Sequence, residues 1–222
     1  MKFGISTFVN DNSIDTVSLA RAIEERGFDS LVIAEHTHIP ASRQTPYPGG
    51  GELPSKYYRT LDPFVTLAAA AAVTSRIELF TGIALLIERD PIITAKEAAS
   101  IDLISGGRFI FGVGAGWNIE ELRDHGTDPK TRGALLDERI EAVKALWINE
   151  PAEYHGEYVN FDASYSRPKP VRRPVRVRRG RRLEYRGVAR PRHRPEDPRC
   201  AAGRTHRSHQ GPLGRGSGRV PR

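Results

Sequence analysis

The sequence predicts an α/β fold with parallel strands, and three observations carry that prediction. Short, mainly apolar runs alternate with longer runs of helical spacing, in the order β-α-β-α-β-α-β-α. One run, Leu31-Val32-Ile33-Ala34, is apolar throughout, as strands covered by helices on both faces are. Two of the helical runs open on the same Asp-Pro pair, Asp62-Pro63 and Asp90-Pro91. Four such units in succession call for right-handed crossovers between parallel strands. Periodicity alone leaves open whether the sheet is doubly wound or closed into a barrel.

Residues 3–8 form the first apolar run. Asn12 or Ser13 is then placed to cap a helix ending at Arg26, with Ile14, Val17, Ala20 and Ile23 on one face. Gly27 is suited to the left-handed residue that closes such a helix, with Phe28 folding back on Ile23. Leu31-Val32-Ile33-Ala34 is the second strand. A 26-residue stretch, 36–61, follows, rich in Pro and holding Gly49-Gly50-Gly51. A loop of that length inside a compact domain marks a functional segment or a disordered one. Asp62-Pro63 caps and starts a helix that runs to Val73, since Pro suits the first helical position. Residues 77–86 read as the third strand, Asp90-Pro91 starts a helix to Ile104, and residues 108–113 read as the fourth strand. A helix over 134–148 and a small hairpin over 154–161, with Gly156 near its turn, complete the organised part.

Charge divides the chain. Residues 1–166 carry 15 basic and 24 acidic side chains, a net of −9, whereas residues 167–222 carry 19 basic and 3 acidic, a net of +16. The single cysteine, Cys200, excludes an internal disulfide framework. The chain shows neither an apolar run long enough to span a bilayer nor a secretion leader, so a cytoplasmic protein without a membrane partner is expected.

Several motifs keep a distinctive order: Thr45-Pro46-Tyr47-Pro48-Gly49-Gly50-Gly51-Glu52-Leu53-Pro54, Leu61-Asp62-Pro63-Phe64, Ile104-Ser105-Gly106-Gly107-Arg108 and Gly112-Val113-Gly114-Ala115-Gly116-Trp117. Together they resemble the luciferase-like monooxygenase superfamily over about residues 1–172, and within it the deazaflavin (coenzyme F420)-dependent oxidoreductases of actinobacteria. The resemblance implies a partial (β/α)8 TIM barrel, about the first four β/α units, with its site at the C-terminal ends of the strands. It also implies hydride transfer between F420 and a small organic substrate. An FMN-dependent monooxygenase of the same fold is the neighbouring expectation.

The resemblance directs attention to four places. Glu35-His36 ends the second strand as an acid–histidine pair near the reactive face of the cofactor, and an imidazole can exchange protons near neutral pH. His38 lies two residues on, but no third ligand has suitable spacing, so no metal is expected. Thr81-Gly82-Ile83 matches a bulge with a non-proline cis peptide, Gly82–Ile83, beneath the cofactor ring; a glycine that makes room for a neighbour is the plainer alternative. Gly114, Ala115, Gly116 and Trp117 follow the fourth strand. The resemblance puts Ala115 and Gly116 beside the cofactor's phosphate-bearing chain, and glycines permit that close approach. Relatives that oxidise sugar phosphates carry glutamate where this chain has Trp117, so an apolar or planar substrate is expected. The fourth place is the long loop, a candidate lid whose Tyr47, Tyr57 and Tyr58 are expected to line a pocket. Ser6 and Phe8, at the end of the first strand, are further candidates for substrate contact.

Residues 167–222 form an Arg-, Pro- and Gly-rich tail in which no strand or amphipathic helix is evident after Val171. Disorder is expected of such a composition. A basic arm that binds nucleic acid is one account. A reading-frame slip in a GC-rich gene is the favoured one, because the tail lacks Phe, Ile, Met and Asn, whose codons are AT-rich. A full barrel needs about 250 residues and eight strands. Half of one leaves an open edge, from which self-association and weak cofactor binding are expected.

Overall fold

The computed structural model describes residues 1–171 and, as backbone, the strand 177–179. The expectations of disorder and of nucleic-acid binding for the remainder of the tail fall outside the described residues. All described elements belong to one compact unit, Met1–Leu183.

The strands are β1 (Gly4–Thr7), β2 (Ser30–Ile33), β3 (Glu78–Thr81), β4 (Ala84–Leu85), β5 (Phe109–Gly114), β6 (Ala152–His155), β7 (Asn160–Ser164) and β8 (Val177–Arg179). The helices are α1 (Thr16–Glu25), α2 (Pro63–Val73), α3 (Pro91–Ile104), α4 (Ile119–Asp124) and α5 (Arg132–Ile148). β1, β2, β3 and β5 pair in parallel in that order, β4 continues the line of β3 along β5, and β8 pairs in parallel with β5. Strand order follows chain order without reversal. A doubly wound sheet reverses at a switch point, so the winding is that of a barrel wall.

The helix-facing side of this wall is the core. Leu31, Ile33, Leu79, Phe109, Phe111 and Val113 are buried against Ala20, Ile23, Phe64, Leu67, Ala98, Ile101 and Trp147. Each such large apolar side chain contributes about 1.5–3 kcal/mol on burial. Trp147 meets Phe111 edge-on at 5.9 Å, and its indole N–H donates to the Ala95 carbonyl at 2.9 Å, which satisfies its one polar atom. The opposite, inward side carries Ser6, Val32 and Phe80, which stay exposed or half-buried among the described residues.

Asp62 and Asp90 cap α2 and α3 as expected: Asp62 accepts from the amides of Phe64 and Val65, Asp90 from that of Ile93. At the end of α1, Gly27 takes φ +77° and the amide of Phe28 reaches back to the Ile23 carbonyl, the expected closure.

Four expectations are corrected, and one element is new. The cap of α1 is Asp15, whose carboxylate accepts from Ser18; Asn10, Asn12 and Ser13 satisfy one another in a turn of their own. The third strand is not continuous over 77–86. It breaks after Thr81, and Leu86–Glu88 turns into a 3-10 helix. The helix expected from 134 starts at Arg132. Helix α4, six residues long, went unforeseen because it is too short to show a helical period. A strand does follow Val171: the alternation Val175-Arg176-Val177-Arg178 has a strand period that the arginine-rich composition masks. No described helix is long and apolar enough to cross a membrane.

Candidate active site

The C-terminal ends of the strands carry the candidate site. The break in the third strand sets its floor. Phe80 pairs with Ile110, but Ala84 pairs with Val113, so four steps on one strand match three on the other. That is a one-residue bulge at residues 81–83, and its Gly82–Ile83 peptide is cis, at the bond expected. The extra residue turns Ile83 to the same face as Gly82, where a Cβ on Gly114 would lie 2.0 Å from Ile83 Cδ1. A Cβ on Gly82 would lie 2.1 Å from Val32, and one on Gly112 2.2 Å from the Thr81 carbonyl. These glycines therefore let neighbouring strand residues approach. Thr81 is fully buried and spent on the sheet: its hydroxyl donates to the Gly112 carbonyl at 2.8 Å and accepts from the Gly112 amide at 2.9 Å.

Glu35 and His36 follow β2 and part company. Consecutive residues of an extended chain point to opposite sides. The Glu35 carboxylate turns into the protein, where it accepts from the Leu85 amide at 2.6 Å and from Arg89 Nε at 2.7 Å. Burial pushes this carboxyl up, and Arg89 opposes the push. Arg89 also pairs with Asp62, the cap of α2. The carboxylate on His36 is instead Glu121 of α4: Glu121 Oε2 lies 2.8 Å from His36 Nδ1. The Trp117 indole N–H lies 3.3 Å from His36 Nε2. An indole can only donate, so Nε2 accepts and Nδ1 carries the hydrogen given to Glu121.

The expected aromatic residues converge on this imidazole. Tyr57 stands 5.3 Å from the His36 ring and Trp117 5.8 Å, the latter edge-on. Phe8 packs on Tyr57 at 4.7 Å, and Tyr47 meets both Tyr57 and Trp117, with the two tyrosine hydroxyls 3.2 Å apart. Ser6 sits lower on β1, exposed on the inward face beside Val32 and outside this cluster. Tyr58 is exposed and borders a separate cleft of about 410 Å³ with Arg43, Tyr47, Gly51 and Leu53. The long loop is pinned to the body: Thr45 exchanges hydrogen bonds with Ile119 and Glu120, and Arg59 pairs with Asp11.

Beneath Gly116, which has φ +62°, lies a third buried carboxyl, Glu88. Its Oε2 is buried and has no hydrogen-bond partner among the described residues. Burial, with Glu121 and Glu35 nearby, pushes this carboxyl up to about 9. The turn that holds it is braced by Arg139, which donates to the Leu86 and Arg89 carbonyls, and by Thr127, which donates to Ile87. Asn118, after Trp117, is buried, and neither of its side-chain polar atoms has a partner among the described residues. Ala115, between the two glycines, packs half-buried against the core. Sequence reasoning did not single out Glu121, Glu88 or Asn118. Glu121 lies 85 residues from His36 on an unforeseen helix, and only the fold joins them. Among the described residues, no three His, Cys, Asp or Glu side chains are placed to hold a metal ion.

A barrel wall with a bulged third strand, a buried His–Glu pair and an aromatic wall at its C-terminal rim defines an α/β-barrel enzyme class. The chain matches the luciferase-like monooxygenase family over residues 1–182, and it belongs to that family. It is 48% identical over 180 residues to the uncharacterised protein Rv0953c of Mycobacterium tuberculosis, a match that covers 80% of this chain and 64% of the relative. The monooxygenase RslO1 of Streptomyces bottropensis superposes with a TM-score of 0.66 at 29% identity, covering 80% of this chain and 52% of RslO1. An F420-dependent secondary alcohol dehydrogenase shares the fold, with a TM-score of 0.62 at 22% identity over 81% of this chain and 52% of that one. The chain thus spans just under two thirds of the relative's length and about half of the two solved structures.

Proposed function

We propose that the chain is the site-bearing part of an oxidoreductase that moves a hydride between coenzyme F420 and a small organic substrate with an apolar or planar body. The observation that carries this reading is the buried His36, held in one tautomer with Nε2 free of hydrogen and faced by aromatic side chains. The residues present fit a flat heteroaromatic cofactor. Asn118 offers a buried amide donor and acceptor that no described residue satisfies, and buried amides of that kind call for partners. The bulge at Gly82 and Ile83 would support the ring, and Ala115 and Gly116 would flank the phosphate-bearing chain.

When bound, the deazaflavin supplies the hydride chemistry at its C5. The protein supplies orientation and the base that takes up the proton. A substrate hydroxyl displaces the Trp117 N–H from His36 Nε2 and gives its proton to that nitrogen, while Glu121 stabilises the imidazolium so formed. Tyr57, Tyr47 and Trp117 wall off water and favour a planar substrate. The coenzyme is tested with protein labelled with 15N-histidine, titrated separately with F420 and with FMN. F420 is expected to shift the His36 ring signals and FMN to leave them in place. A shift with FMN alone overturns the coenzyme in favour of a flavin monooxygenase, and no shift with either overturns the site.

A further inference from the structure

His36 is a closed-in base. Its side chain is 6% exposed and that of Glu121 is 1% exposed, so a proton taken up there has no direct contact with bulk water. Trp117 and the substrate close the Nε2 side. Beyond Glu121, the Nδ1 side opens onto a run of polar groups that no part of the hydride chemistry requires. Glu121 Oε1 accepts from the Thr37 amide at 3.1 Å and lies 3.5 Å from the Thr37 hydroxyl, the longest link of the run. That hydroxyl lies 2.7 Å from His125 Nε2 and 3.0 Å from His38 Nδ1. His38 Nε2 reaches Asp124 at 2.9 Å. The far members are wet: the side chains of His125, His38 and Asp124 are 28%, 41% and 57% exposed.

We propose that Glu121, Thr37 and the His125–His38 pair form a proton exit from His36 to solvent. The proposal rests on the reading of His36 as the acid–base group and extends it to the route by which that group is reset. The His36 Nδ1–H bond breaks and a Glu121 Oε2–H bond forms. A half-turn of the carboxyl, which exchanges two equivalent oxygens, carries that hydrogen to Thr37 Oγ1. The hydrogen that Thr37 held passes to His125 Nε2, and the resulting imidazolium releases a proton from Nδ1 to water. No electrons change hands. After one proton has left, Glu121 is again a carboxylate and Thr37 a hydroxyl, and His36 and His125 are each neutral with the hydrogen on Nε2. Restoring the starting tautomer takes one further proton exchange with water at each ring.

The surroundings favour this direction. Burial, and the neighbouring His38, hold the His125 imidazole below its ordinary range, so near neutral pH it is ready to accept and quick to release. Glu88 Oε2 lies 3.8 Å from His125 Nε2 but keeps its own proton below about pH 9, so it does not trap the moving one as a rival anion. Asp124, beside His38, is the anionic group at the exit mouth.

The test needs no cofactor and no substrate. The exchange of the His36 Nδ1 hydrogen with water is measured by 15N-histidine NMR in the full chain, for the wild type, Thr37→Val and Thr37→Ser. Thr37→Val is expected to slow exchange roughly tenfold, about the effect of one lost hydrogen bond on a barrier. Thr37→Ser, which restores a hydroxyl, is expected to restore it. Equal exchange in the wild type and Thr37→Val overturns the proposal. If Thr37→Val does not fold, the surface double variant His38→Asn with His125→Asn decides: slowed exchange supports the path and unchanged exchange overturns it. Because cofactor is absent throughout, failure here leaves the hydride reading standing, and a coenzyme titration that favours FMN over F420 leaves the exchange result unchanged.

Discussion

At the scale of single residues, the candidate site is dominated by carboxyls whose surroundings set them apart. Glu88 keeps its proton up to about pH 9 in the folded chain and loses it near 4.5 when unfolded. Between those values the unfolded state binds fewer protons, so stability falls as pH rises, by up to about 1.4 kcal/mol per pH unit from this one group. Glu88→Gln is expected to remove that slope. Denaturant unfolding at pH 6 and pH 8.5 checks it, and parallel curves for wild type and variant refute the assignment. Arg89→Ala leaves Glu35 buried without its cation, a loss of about 3–5 kcal/mol, which equilibrium unfolding of the variant measures. His36 drew attention in the sequence through the family resemblance, since a histidine at a strand end says little by itself. Its true partner was not legible, because an adjacent acid in the chain points away by geometry alone, whereas Glu121 reaches it only through the fold.

At the scale of elements, the helix ends were the most readable features. Asp-Pro starts and Gly27 act through local backbone chemistry that a short window of sequence contains. Long-range ties were not readable. Glu24, in the last turn of α1, accepts from the amides of Ser75, Arg76 and Ile77 ahead of β3. Burial pushes the Glu24 carboxyl up, but these amides outweigh it and hold it at about 2. Its contribution is present above about pH 4.5 and is lost as pH falls toward 2. Glu24→Gln is expected to lower the melting temperature at pH 6 and to match the wild type near pH 2. A constant difference across that range removes the carboxylate from the account. Between β3 and β5, Gly112→Ala drives a methyl into the Thr81 carbonyl, backbone that cannot swing aside. Overpacking of this kind costs about 1–3 kcal/mol, and thermal unfolding reports it.

At the scale of the whole molecule, the parallel order of the strands was legible, and the choice between barrel and open sheet was not. Each unit's apolar pattern is the same in both. Only the absence of a reversal in strand order decides, and no local window contains that. β1 pairs only with β2 among the described strands, and Val32 and Phe80 stand half-buried on the inward face. An unpaired strand edge beside apolar surface invites a second chain. The 222-residue chain is expected to sediment as an assembly larger than a monomer at micromolar concentration. A single monomeric species that fails to bind a hydrophobic dye sinks that expectation.

The bulge in the third strand also acts as a phase setter. A strand counts in twos, so one inserted residue exchanges inner and outer faces for everything downstream until the next turn. Removing Gly82 would straighten the strand and invert that count. Leu85, whose amide holds Glu35, and the turn that presents Glu88 and Arg89 would each arrive half a repeat out of step. The ionic layer under the site thus depends on the parity of a short peptide as much as on the charges themselves, and insertions or deletions there weigh more than substitutions.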